Sequence, residues 1–269
     1  MPTDFLTAVR LPWMPVVAVV EFYEVIRGGR RSAEYITLLN GLRRNRRVRA
    51  VVLDIDSPGG AAPASEHLYL AARRLAERKP VVAFVRGVGA SGAYMLACGA
   101  TRIVALPGAV VGSIGVISLR PIAVELLRRI GLSIAVSKTG PFKDSGAFYR
   151  EPTAEEQRKE QEILGEYYDA FLDIIAEGRR LDRETVRAMA TGEIFTGRRA
   201  QGLGLVDELG DLDTAIDLAA QLAGIRRRVV PARPRRALAQ RLLAGTASLV
   251  VDEATMRLER WLWTVARSQ

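Results

Sequence analysis

Between Val16 and Val136 the sequence alternates short apolar runs with amphipathic stretches of helical period. Such text has few solutions other than successive β–α units that stack helices on a largely parallel sheet. The spacing predicts strands over Val16–Phe22, Ala50–Ile55, Val81–Val85, Arg102–Ala105, Ile114–Ser118 and Ser133–Val136. It predicts helices over Ser32–Arg44, Pro63–Arg78, Ser91–Cys98 and Pro121–Ile130, the first and third opening at a serine able to cap them. The expected class is α/β, not α+β.

Beyond Lys143 the pattern changes. A long helix is predicted over Thr153–Arg180, started by the capping-box residues Thr153 and Glu156, then a shorter one over Arg183–Ala190 and another over Leu212–Ala223. The stretch 224–236 is punctuated by proline and arginine and reads as a linker, and Ala237–Ala266 reads as a final amphipathic segment. The chain therefore divides into a domain over 1–225 and an appendage over 226–269. Ten arginines against three acidic residues fall in that appendage, so it carries +7 of the net charge of +9 and the body is close to neutral. A basic signal confined to an appendage argues against a nucleic-acid partner and is compatible with peripheral contact to an anionic membrane surface.

Charged residues and prolines interrupt residues 1–15, so neither a leader nor a membrane anchor is expected there; the expected location is cytoplasmic or peripherally membrane-associated. The lone cysteine, Cys98, excludes an intrachain disulfide and a cysteine-rich zinc site. Only four of the 39 basic residues are lysines: Lys79, Lys138, Lys143 and Lys159. Arginine cannot give up its proton inside a protein and lysine can, so a lysine in a reactive loop invites a chemical reading. Lys79 and Lys159 lie in charged helical text and are expected to be solvated.

Two glycine-bearing turns invite such chemistry. DSPGG, ending at Gly60, follows a buried strand and exposes backbone N–H groups with no side chain in the way, as an oxyanion site needs; the same turn also serves as an ordinary strand-to-helix connection. In GVGASGAYMLACGA, Ser91 stands between strand and helix among small residues, either as a plain helix cap or as a nucleophile open to a substrate backbone. It does not fit the G-x-S-x-G elbow, because Ala93 stands where the second glycine belongs. A nucleophilic serine needs a base. The single histidine, His67, sits in helical text; the alternative is a lysine kept neutral by burial.

In order, the segments DSPGG, GVGASGAYMLACGA, VGSIGVI and SKTGPFKDSGAF resemble those of the signal peptide peptidase A (SppA) family of serine peptidases, relatives of the Clp proteases, with similarity from about Val16 to Ala223. The resemblance implies a Clp/crotonase-like fold of repeated ββα/βα units with a C-terminal helical extension. It implies a serine–lysine dyad, with Ser91 as nucleophile, Lys143 as base, Lys138 as a bystander, Ser113 orienting the lysine, and the N–H groups of Gly60 and Gly92 as oxyanion donors. It further implies a short or unfolded peptide substrate, including remnant signal peptides, no metal or cofactor, and a homo-oligomer. The family commonly carries a membrane anchor, which this sequence is not expected to have, and a third glycine where Ala61 stands. Two other readings stand beside it: a crotonase-type enzyme acting on a coenzyme A thioester, which shares the fold and the paired glycines, and a non-catalytic scaffold recruited to membrane or nucleic acid by its basic tail.

Overall fold

The structure, a computed structural model, describes residues 14–234. The first half is a run of β–α units: β1 (Val16–Phe22), α1 (Arg30–Arg44), β2 (Val48–Ser57), α2 (Ala62–Ala76), β3 (Val81–Ala90), α3 (Gly92–Cys98), β4 (Arg102–Ala105) and β5 (Val110–Gly112). The second half is α4 (Val124–Arg129), α5 (Ala154–Arg179), α6 (Arg183–Met189), β6 (Ile194–Thr196), α7 (Gly197–Gly202), β7 (Glu208–Leu209), α8 (Leu212–Leu222) and β8 (Val229–Pro231).

One sheet holds all eight strands in the order β6-β5-β3-β2-β1-β8, with β4 on β3 and β7 on β4; every pairing is parallel except β5 with β6. β3 is forked. Its first half bonds β4 and its last residues, Val88 to Ala90, bond β5. The side chains of β2 divide between two apolar layers: Val51, Leu53 and Ile55 face α1, α2 and α3, while Ala50 and Val52 face α8. Each fully buried valine, leucine or isoleucine there contributes roughly 1.5–3 kcal/mol relative to exposure.

Four of the predicted strands are present, and two are not. The run Ile114–Ser118 forms no strand because the chain leaves the sheet at Gly112 (φ 107°) and Ser113 (φ 51°), and two successive positive φ angles are incompatible with continued pleating. The strand in that region is β5, just before. Ser133–Val136 also has no ladder partner; its apolar side chains, with Ile117 at 78% and Leu119 at 86% exposure, point out of the core. The helix predicted over Pro121–Ile130 is shortened to α4. In the stretch that reads as a linker, β8 adds a parallel strand to β1, and the compact unit runs to Arg233. The amphipathic segment Ala237–Ala266 lies outside the described residues.

Candidate active site

Ser91 sits where β3 ends and α3 begins. Its backbone is in a region that side-chain-bearing residues rarely occupy (φ 51°, ψ −124°), and although it holds the N-cap position of α3 its side chain makes no capping hydrogen bond. The strain is held by the backbone: the Ser91 N–H donates to the Gly112 carbonyl at 2.8 Å, and its carbonyl accepts from Met95 N–H at 3.0 Å. The plain-cap reading of Ser91 therefore does not describe this serine. Upstream, the end of β3 is fastened by Asp56, whose carboxylate accepts the Val88 N–H at 2.8 Å, and by the buried Asp54, which takes two hydrogen bonds from Arg86.

The DSPGG turn stands beside it. Ser57, fully buried, donates to the Glu24 carbonyl at 2.6 Å and accepts the Gly59 N–H at 3.2 Å. Ile26 bridges the turn from the other side, donating to the Gly59 carbonyl and accepting from Ala61 N–H. Glycine is obligatory at the contact. A Cβ on Gly60 would stand 2.0 Å from the Ile26 carbonyl oxygen, and one on Gly92 2.0 Å from Ser65 Oγ. A methyl on Gly59 would come within 2.5 Å of the Gly92 nitrogen, and one on Gly92 within 3.4 Å of the Gly60 nitrogen. Neither the Gly60 nor the Gly92 N–H donates to an acceptor among the described residues. Both are therefore open to an oxygen that a substrate would bring.

Ser91, Gly60, Gly92 and Ser113 line one cleft of about 780 Å³, walled by Met95, Tyr167, Tyr168, Phe171 and Ile174. Ser113 shares the φ of Ser91, and its N–H donates to the Glu193 carbonyl at 2.7 Å. His67 points outward from α2 and is not among the cleft-lining residues, although Ser65 and Glu66 are.

Lys143 is not in this cleft. It is exposed on a turn after α4, its backbone N–H held by the Gly140 carbonyl at 3.2 Å. The four lysines nevertheless differ in what their ammonium groups touch. Lys138 Nζ is bound to Asp144 at 2.6 Å and to the Pro141 carbonyl at 3.0 Å. Lys159 stands over the Phe142 ring. Lys79, expected to be solvated, instead donates to the carbonyls of Leu42 and Asn45 at 2.6 Å each, at the C-terminal end of α1, and partial burial, with Arg49 nearby, lowers its pKa. Among the described residues, the Lys143 ammonium alone of the four has no partner.

Ser57 and Ile26 escaped the sequence reading. Ser57 carried a signal, a hydroxyl placed to fold back on a Pro-Gly turn; Ile26 carried none, because its contact joins the loops that follow two neighbouring strands, β1 and β2. Among the described residues no group of histidine, cysteine or acidic side chains could hold a metal ion, and no helix is long and apolar enough to cross a membrane.

A strained serine at a strand end, in one cleft with two backbone N–H groups unbonded among the described residues, marks a class of α/β proteins whose geometry is chemically able to attack a carbonyl and hold an oxyanion. Within that class, this chain belongs to Peptidase family S49, whose family model it matches over residues 73–226. It is 39% identical over 191 residues to a provisionally named protease of Methanocaldococcus jannaschii, covering 71% of this chain and 61% of that protein. It is 33% identical over 195 residues to the chloroplastic serine protease SPPA of Arabidopsis thaliana, covering 72% of this chain and 29% of that one. The chain thus spans less than two thirds of the length of both relatives. A mutant of a membrane-bound stomatin-specific protease shares the fold, with a TM-score of 0.54 at 16% identity, over 82% of this chain and 99% of that one. The fold is α/β of the Clp/crotonase-like kind.

Proposed function

We propose that this protein is a serine endopeptidase that hydrolyses short or unfolded peptides through an acyl-enzyme on Ser91. The observation that carries the reading is the pairing of an uncapped, strained Ser91 with the unbonded N–H groups of Gly60 and Gly92 in one cleft. Lys143, acting as the base, removes the Ser91 Oγ proton, and the oxygen attacks the peptide carbonyl. Gly60 and Gly92 donate to the oxyanion, and Lys143 returns the proton to the departing amine. Water then takes the place of that amine, and Lys143 activates it to release the acyl group. The apolar cleft wall favours small or apolar side chains next to the cleaved bond. Ser113 supports the base by hydrogen bonding.

Lys143 reaches the cleft in the assembled protein. Its segment carries the exposed apolar side chains Ile117, Leu119, Leu126, Ile130 and Leu132, a surface that a second copy would cover. A fluorophosphonate probe followed by peptide mapping tests the nucleophile: label on Ser91, lost in Ser91→Ala along with peptide turnover, is the expected result. Label elsewhere, or turnover surviving in Ser91→Ala, overturns the reading.

A further inference from the structure

The cleft is almost free of charge in a protein rich in it. Of its lining residues only Glu66 carries a formal charge at neutral pH; no arginine or lysine lines the cleft. Glu66 follows the Gly60 turn on α2, one residue beyond the buried Ser65, and its carboxylate is exposed. The side chains one turn away on α2, Ala62, Pro63, Tyr69 and Leu70, offer it no cation. No ion pair or hydrogen bond among the described residues engages it, whereas many of the acidic side chains on the body, from Glu24 to Asp213, are paired with arginine. An exposed, unpaired carboxylate on the wall of an otherwise uncharged cleft is complementary to one chemical class, a cationic group on the bound chain.

We propose that Glu66 is a specificity-determining residue that selects peptides placing a lysine or arginine side chain in the cleft. This rests on the peptidase reading above and adds to it a charge requirement at one subsite, set beside the apolar preference of the remaining wall. The interaction is solvent-accessible, so the expected selectivity is about two- to fivefold in kcat/KM, the range of an exposed ion pair, and it shrinks as salt is raised.

The test uses the full-length protein and a set of peptides of otherwise neutral sequence, acetylated and amidated at their ends, with a single lysine moved through each position around the cleaved bond. A matching peptide with a free amino terminus and no lysine separates the side chain from the α-amine as the source of the cation. The inference expects one position at which lysine raises kcat/KM over the neutral peptide, a ratio that collapses to about one in Glu66→Gln and inverts in Glu66→Lys, which then favours glutamate there. A lysine preference that survives in Glu66→Gln, a preference only for the free amine, or cleavage with no lysine preference at any position overturns this inference alone. No cleavage of any peptide, with Ser91 unlabelled by fluorophosphonate, overturns the peptidase reading and this inference with it.

Discussion

At the scale of single residues, the four lysines separate by what their ammonium groups already do. Lys138 is committed to Asp144, and Lys143 has no partner among the described residues. Lys143→Arg keeps a long basic side chain but removes the ability to accept a proton, so peptide turnover should fall by about 10²–10⁴-fold, the usual contribution of a general base. Lys138→Arg should retain most of the activity, because a guanidinium can also pair with Asp144. His67→Gln should leave turnover near the wild-type value, since His67 lies outside the cleft. Steady-state rates of the three variants check this. Near-normal turnover in Lys143→Arg, or its loss in His67→Gln, would return the base to the histidine. The strain at Ser91 belongs to the same scale. No propensity rule reveals that a serine in a capping position will decline to cap, because the choice is made by Gly112, which accepts its N–H from a neighbouring strand.

At the scale of elements, α5 shows both how far sequence reading reaches and where it stops. Its N-terminus was legible because a capping box is local chemistry: Thr153 accepts the Glu156 N–H, and the Glu156 carboxylate accepts the Thr153 N–H. The same Glu156 also takes two hydrogen bonds from Arg150 and one from Ser145, while Arg150 holds Asp144 as well. That clamp ties the Lys143 turn to α5, and no local pattern announces it. The early strands were legible for the reason the capping box was, since each is a continuous apolar run. β6, β7 and β8 are only three, two and three residues long, too short for any period to show, and exist because neighbours supply ladder partners.

The clamp has a pH signature. Arg150 first, then Lys138, holds Asp144 well below the usual carboxylate range; Arg150 first, then the Thr153 backbone, does the same for Glu156. Depressed carboxylates stabilise the native state fully above their ordinary values of 3.8 and 4.5, and that contribution fades as pH falls below them toward the native values. Amide exchange over residues 138–156, normalised to intrinsic rates, should therefore be level from about pH 7 to about pH 5 and rise only in more acid solution. Arg150→Ala should raise it already at neutral pH. Exchange that climbs between about pH 7 and pH 5 in the wild type would mean that another group fastens the turn.

At the scale of the whole molecule, Ser91, Gly60 and Gly92 share one cleft while Lys143 lies on a turn beyond it, in a segment whose apolar side chains face outward. If copies of the chain complete one another, two inactive variants should rescue each other: Ser91→Ala mixed with Lys143→Arg should regain turnover that neither shows alone. Light scattering should report a homo-oligomer at micromolar concentration. A monomer, or a mixture as inert as its parts, would require Lys143 to reach Ser91 within one chain. Lys143 standing outside the cleft also implies that specific activity is set by dilution. Halving the protein should more than halve the rate once assemblies begin to come apart. A newly made, solitary chain would then carry a loaded nucleophile with no trigger, harmless to the polypeptides around it until enough of its own kind has accumulated.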